Sequence, residues 1–359
     1  MKNNSNKRIN LLVDGAKMAL IIAIACGLVS LIVFAVSEDP WNAIYNFFVG
    51  PFTTLRRAGN IVEAASPLMF TALGVIIIFG AGQFSMISEG SFFIGTAGAM
   101  IVAITCQLPS GIHPVVAILF AGILGMLVAL IPALLKMKWN VSELVTSIML
   151  NYVVQFFVIY LVTYYFRETE SSSLCSVLFQ KSATLSVIMD GTRIHAGVVL
   201  GIIVCVVMWI ILYRTSFGTA LRITGDNGLF AKYTGLKVTG IMVAAQGIAG
   251  FIAGIGGGTE LLGMYTRFKW TSTPGYGWTG IVVALLARKN PLFVPLAAAF
   301  IAYMNVGADI MARNSDVGRE MVDIIQGVMM LLIAADALLQ GWRQRMIVKA
   351  AKAEEEVKA

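Results

Sequence analysis

Nine apolar runs, each long enough to cross a bilayer as a helix, constrain this chain more than any motif in it. A helix rises about 1.5 Å per residue, so roughly 20 residues span the hydrocarbon. The runs lie at 17–37, 61–80, 90–107, 114–135, 141–166, 194–213, 240–262, 291–311 and 319–341, and a shorter one spans 274–287. Each backbone group in hydrocarbon must be satisfied internally, and continuous apolar runs of this length do so as helices. The expected fold is therefore all-α: a polytopic membrane protein with about ten transmembrane helices, some of them broken or re-entrant. Composition agrees, with 58% hydrophobic and 13% charged residues.

Ten crossings put both termini on one side, and charge says which. Short cytoplasmic loops carry the excess of Lys and Arg. With the N-terminus inside, the inward segments hold seventeen of the 26 basic residues and the outward segments hold nine. Both termini and the loop after Tyr213 are thus expected to be cytoplasmic. This gives a cytoplasmic N-terminus at 1–16, a transmembrane domain at 17–341 that includes a cytoplasmic loop at 214–239, and a charged cytoplasmic tail at 342–359. The net charge of +7 follows from the same inner-face bias and requires no nucleic acid. The first apolar run is too long for a cleaved signal and is expected to be a retained span.

Several chemistries are excluded by what is missing. There is no phosphate-cradling G-x-x-x-x-G-K-[ST], no H-E-x-x-H and no nucleophile elbow. Cys26, Cys106, Cys175 and Cys205 show no metal or disulfide spacing, and His113 and His195 are expected to sit at the outer interface. The glycine-rich GIAGFIAGIGGG at 247–258 lies in a span with no strand before it. Gly250, Gly254 and Gly258 recur every four residues, a spacing that lets two helices approach closely in lipid.

Polar residues within spans carry more information, because burying them in hydrocarbon is costly. In NVSELVTSIMLNYVVQ, 140–155, the residues Glu143, Ser147, Asn151 and Gln155 recur every four positions and draw a stripe along one helix side. Asn140 and Glu143 have capping-box spacing. Ser147, Asn151 and Gln155 are candidates to line a solute path, and Asn151 could equally bond a neighbouring helix. Asn305 and Asp309 are four apart in a later span, and Asp323 and Gln326 three apart at the start of the next. These pairs would shape an outward vestibule or cap their helices. Glu89 sits in AGQFSMISEGSFFIG, 81–95, where Gly and Ser interrupt the apolar pattern; TSTPGYGWTG, 271–280, is interrupted likewise. Irregular backbone at membrane depth survives only inside protein or beside a watery cavity.

The cytoplasmic loop YRTSFGTALRITGDNGLFAKYTGLK, 213–237, reads as a tight turn at Gly218 and then a short helix. Asp226 or Asn227 would cap that helix and Gly235 would end it. It carries Phe230 and Tyr233 three apart with Leu229 beside them. Bulky apolar groups on a short helix at the cytoplasmic mouth suit another protein's groove.

That loop resembles the cytoplasmic coupling loop of ABC-type importer permeases of the branched-chain amino acid, sugar and nucleoside superfamily. SELVTSIMLNY, 142–152, and LLGMYTRFKWTSTPGYGWTGIVVALLARKNPL, 261–292, are similar to its nucleoside branch. The likeness runs in order from about Pro67 to Leu339. It implies a subunit with no catalytic residues and no cofactor of its own, ATP and magnesium being held by a separate cytoplasmic ATPase. It implies that Arg214, Gly218, Arg222, Asp226, Asn227, Phe230, Tyr233 and Gly235 form the ATPase-coupling element. Its further implications are a second permease subunit, expected to be a different chain, an extracytoplasmic solute-binding protein, and a prokaryotic plasma membrane. The expected solute is a nucleoside or a similar small polar molecule such as a sugar, with Glu89, Ser147, Asn151, Gln155 and Asn305 along its path. An ion-coupled secondary transporter is the alternative that the intramembrane acids would serve. Two departures bear on the solute: FSMISEGS, 84–91, has Ser85 and Ile87 where the family shows Asn and Gly, and Thr279 stands where an acid often follows the G-Y-G-aromatic motif.

Overall fold

The computed structural model describes residues 37–169 and 173–318, with isolated positions from Gly27 to Phe34 and from Ile324 to Leu331. The described residues are all-helical, apart from two isolated bridges, Arg167 with Ser176 and Val187 with His195. Eleven α-helices run in order: α1 Pro40–Phe48, α2 Leu55–Gly80, α3 Ile87–Thr105, α4 Ile112–Trp139, α5 Glu143–Leu161, α6 Ala196–Arg214, α7 Ser216–Asp226, α8 Gly228–Tyr233, α9 Val238–Met264, α10 Tyr276–Leu286 and α11 Val294–Asn314. Seven helical stretches among them are long and apolar enough to cross a membrane, and α10 is a shorter apolar helix. The runs at 17–37 and 319–341, with Asp323 and Gln326, lie outside the continuously described residues.

The chain divides into two compact units, 54–303 and the flanking 1–53 with 304–359. In the flanking unit Asp316 gathers the chain before α1: it accepts from the Ser37 hydroxyl at 2.6 Å and from the Glu38 N–H. Asn314 reaches Asn46 at 3.2 Å. These bonds hold the Asp316 carboxyl below the usual aspartate range.

The larger unit is built around α9, which packs on α4, α3 and α2. The sequence explains how three helices crowd one. Gly250, Gly254 and Gly258 form the side facing α4, where an added Cβ on Gly254 would meet the Ala121 carbonyl and one on Gly250 the Gly125 carbonyl. Gly257 points elsewhere, against the Phe92 carbonyl of α3, and Gly256 against Phe70 of α2. The expected small-residue packing is thus present on more than one side of the helix. Close backbones bring many atoms into van der Waals range, the main attraction between helices in lipid.

His113 and His195 stand at the starts of α4 and α6, as expected, and both are fully buried in the protein. His113 bonds Ser182 at 2.9 Å and the Val102 carbonyl at 3.1 Å, while His195 caps α6 by accepting from the Gly197 N–H at 3.1 Å. The His195 Nδ1 must keep its lone pair to accept this bond. Asn140 and Glu143 do not form a capping box. Asn140 ends α4 in a left-handed conformation, φ 52°, and Ser142 occupies the N-cap position of α5. Gly218 makes no turn: it lies inside α7, where its missing Cβ lets the helix press on the Ile211 and Leu212 carbonyls of α6.

Gly254→Val should drive α9 from α4 and cost on the order of 1–3 kcal/mol through overpacking. A drop in the apparent melting temperature of detergent-purified protein checks this, and unchanged melting would refute the close-packing account.

Candidate functional site

Two sites emerge within the larger unit, a hydrogen-bonded joint between broken helices and a pair of short helices after α6. The joint begins where α2 ends at Gly80; after a terminating turn at Ala81 and Gly82 the chain is irregular from Gln83 to Met86. This irregular stretch lies along α5, and the expected polar stripe is what satisfies it. Glu143 accepts from the Gln83 amide at 3.1 Å, and the Phe84 N–H lies 3.4 Å from it. One turn on, Ser147 accepts from the Met86 N–H at 2.9 Å. One turn further, Asn151 donates to the Met86 carbonyl at 2.9 Å and accepts from the Gly90 N–H at 3.0 Å. The four-residue period places the three side chains on a line about 12 Å long. They meet backbone groups that would otherwise be orphaned. Gln246 of α9 also reaches Glu143, at 3.3 Å, so the carboxylate joins three elements.

Glu89 carries the joint onward. It lies in the first turn of α3, buried to 2% exposure. Its carboxylate accepts from the Gly275 N–H at 2.8 Å and from the Gly277 N–H. These are leading donors of α10, whose partial positive charge favours an anion. Gly277 packs so closely on Glu89 that a Cβ would collide with its backbone. On the other flank the Thr71 hydroxyl lies 3.0 Å from the Tyr276 carbonyl. The sequence interruptions at 81–95 and 271–280 are therefore two ends of one assembly.

Glu89, Ser147 and Asn151 belong to the joint, Gln155 is half-buried one turn beyond Asn151, and Asn305 is half-buried on α11. Sequence reasoning missed Gln83 and Gln246, the partners of Glu143. Both are near-fully buried amides in apolar surroundings, and that incongruity was the available signal.

The short-helix pair consists of α7 and α8. Sequence reasoning found only α8. In α7 the residues Gly218, Leu221 and Thr224 are buried, a three-residue spacing characteristic of one helix face. The Thr215 hydroxyl caps this helix by accepting from the Gly218 N–H at 3.2 Å. Further along, Gly225 lies against Gly80 and Gly82 at the end of α2. Arg222 stacks over the Tyr213 ring at 4.9 Å, and Arg214 over Trp209 at 5.6 Å. A cavity of about 220 Å³ is lined by Phe79, Tyr213, Arg222, Asp226 and Lys289 among others.

Asn227, rather than Asp226, caps α8, accepting from the Phe230 N–H at 3.0 Å; Asp226 ends α7. The expected stop at Gly235 has a φ of 82°. The Gly235 N–H bonds the Lys232 carbonyl and the Leu236 N–H bonds the Ala231 carbonyl, both at 3.1 Å. This is a Schellman termination, which requires the left-handed residue that glycine supplies. Caps at both ends define a helix of six residues that would not form alone. It presents Leu229, Phe230 and Tyr233 at 71%, 57% and 89% exposure, while Ala231 faces inward.

Residues 57–334 match the protein family described as branched-chain amino acid transport system / permease component. The chain is similar to the guanosine ABC transporter permease protein NupP of Bacillus subtilis, 29% identical over 89% of this chain and 92% of that protein. It is also similar to the glucose ABC transporter permease protein TsgB13 of Haloferax volcanii, 28% identical over 91% and 88%. The nucleoside ABC transporter permease protein NupB of Lactococcus lactis is 25% identical over 94% and 95%. No solved structure matches the chain.

Glu89→Ala should strand two buried N–H groups and cost on the order of 1–3 kcal/mol for each unsatisfied donor. Glu89→Gln keeps one acceptor oxygen and should lose less. Apparent melting temperatures of the two variants give the order, and a Glu89→Ala protein as stable as the parent would contradict the joint.

Proposed function

The chain belongs to the branched-chain amino acid transport system permease family, and on that premise we propose that it forms the membrane path of a nucleoside importer. As an ABC importer permease it is a multi-pass, non-catalytic transport subunit. Such permeases work with a cytoplasmic ATPase and a solute-binding protein. The nucleoside assignment draws support from near full-length similarity to proteins named as guanosine and nucleoside permeases. A glucose permease is almost as similar, so a sugar is the competing solute. Nucleosides and sugars share adjacent hydroxyl groups on a ring, and a path built for one tolerates much of the other.

The observation that carries the mechanism is the exposed face of α8. Leu229, Phe230 and Tyr233 project from a helix fixed at both ends. We assign this face as the plug that seats in the ATPase, with the 214–239 loop cytoplasmic. Arg214, Gly218, Arg222 and Asp226 brace α7 behind it, and Asn227 and Gly235 fix its ends. ATP binding to the partner would displace α8, and α7 would pass that displacement to α6 and α2, against which Gly218 and Gly225 are packed. Alternation between outward and inward openings would follow as a shift between two packed states. Solute would pass from a binding protein on the outer side of a prokaryotic plasma membrane. Gln155 and Asn305 would face the path, as would Glu89, Ser147 and Asn151 once the joint rearranges. The companion permease would be a different chain.

Truncating an anchoring aromatic at an interface typically costs about 2 kcal/mol. Phe230→Ala with Tyr233→Ala should therefore abolish ATPase co-purification from detergent-solubilised membranes, leaving the chain inserted. Undiminished recovery of the ATPase with the double variant would overturn the assignment.

A further inference from the structure

Glu89, Ser147 and Asn151, expected on the solute path, are already bonded to backbone, so polar atoms without a protein partner identify a better candidate. On α9, Glu260 is buried to 2% exposure, and its Oε2 has no hydrogen-bond partner among the described residues. The Tyr276 phenol stands beside its carboxyl group. The facing helix α2 runs antiparallel to α9, with Gly74 against Ala249 and Phe70 against Gly256. Continuing that register by one turn brings Ser66 to the level of Glu260. Ser66 is fully buried, and its hydroxyl likewise has no partner. Glu63, three residues further along α2, interacts electrostatically with Glu260 and with Arg193.

Exposure is graded around this point. Arg193 is exposed, Glu63, Tyr265, Trp270 and Tyr276 are half-buried, and Glu260 is buried. Aromatic rings stand beside the acid: Phe92 meets Tyr276 edge-on at 5.3 Å and Tyr265 meets Trp270 at 5.1 Å. The acid lies one turn before α9 ends, beside the start of α10, where the chain breaks and re-enters. Discontinuous helices of this kind place solute sites near the middle of a membrane. A buried carboxylate oxygen and a buried hydroxyl, both unpaired, are costly in hydrocarbon and persist where something binds them.

We infer that Glu260, with Ser66 and Tyr276, binds the transported solute, and that the ligand is an uncharged molecule presenting two adjacent hydroxyls, such as the ribose diol of a nucleoside. A carboxyl group can hydrogen-bond two neighbouring hydroxyls at once. With the solute in place, the phenol and the Ser66 hydroxyl would complete its polar contacts, and the aromatic side chains would offer apolar surface to the base. This assignment rests on the nucleoside reading for its ligand. The acid's role as the binding group is tested apart from it.

The test is uptake of labelled guanosine and 2′-deoxyguanosine, which lacks one of the two hydroxyls, by membrane vesicles containing the chain with its companion subunits. Glu260→Gln should raise the half-saturating guanosine concentration on the order of 10- to 100-fold, as expected when a buried carboxyl group that bonds two hydroxyls is replaced by an amide of different donor pattern. It should also shrink the preference for guanosine over the deoxy compound. The binding protein is common to both variants, so a changed preference belongs to the permease. Unchanged saturation and preference in Glu260→Gln would overturn the inference. So would uptake that requires Na⁺, which would make Glu260 an ion ligand. Should Glu260→Gln fail to assemble, Ser66→Ala is compared in the same way, and wild-type saturation and preference there would also overturn it. Should the parent protein move glucose and no nucleoside, the nucleoside reading fails alone, and Glu260→Gln is then compared with glucose and 2-deoxyglucose.

Discussion

The buried carboxylate of Glu89, held against the N–H groups of Gly275 and Gly277, is the interaction on which the rest of the larger unit depends. Two stretches of that unit, 83–86 and 266–275, are irregular backbone between apolar helices. Hydrocarbon offers nothing to satisfy such backbone, so protein groups must do it. Glu143, Ser147 and Asn151 of α5 serve the first stretch, and Glu89, which follows it directly, serves the start of α10. The two interruptions thus form one bonded series from α5 through α3 to α10, and α10 cannot move far without α3.

Glycine packing makes that series compact. The α4 face of α9 is glycine at 250, 254 and 258, while Gly256 and Gly257 face α2 and α3. Side chains at these positions would hold the helices apart and lengthen the reach from Glu89 to α10. In α7 the same device recurs, with Gly218 pressed on α6 and Gly225 on the end of α2. A helix coupled to its neighbours through glycine contacts would transmit displacement with little slack, because close-packed backbones have few side-chain rotamers to absorb it.

Most of the helical content was legible in the sequence because lipid enforces a simple rule: long apolar runs become spans. The caps of α8 were legible too, since Asn227 and Gly235 do local work that needs no knowledge of neighbours. What failed was everything set by contacts distant in sequence. Asn140 and Glu143 have capping-box spacing, yet Glu143 is drawn to Gln83 and Gln246, and Asn140 ends the preceding helix instead. Gly218 reads as a turn from its local setting and acts as a contact surface. Ser147 and Asn151 were recognised as polar atoms in a span, but their partners lie some 60 residues earlier, in a stretch no periodicity describes. Glu260 was overlooked inside a glycine-rich span, where the packing signal masked the single acid.

The account's central claim is that ATP hydrolysis on a partner subunit drives a nucleoside through this chain. The most direct measurement is accumulation of labelled guanosine in proteoliposomes holding the purified permease pair, ATPase and binding protein, with proton and sodium gradients dissipated. The account predicts accumulation that requires ATP on the ATPase side and survives loss of the gradients. Accumulation without ATP that collapses with an ion gradient would contradict it, as would ATP-driven transport from which nucleosides are excluded.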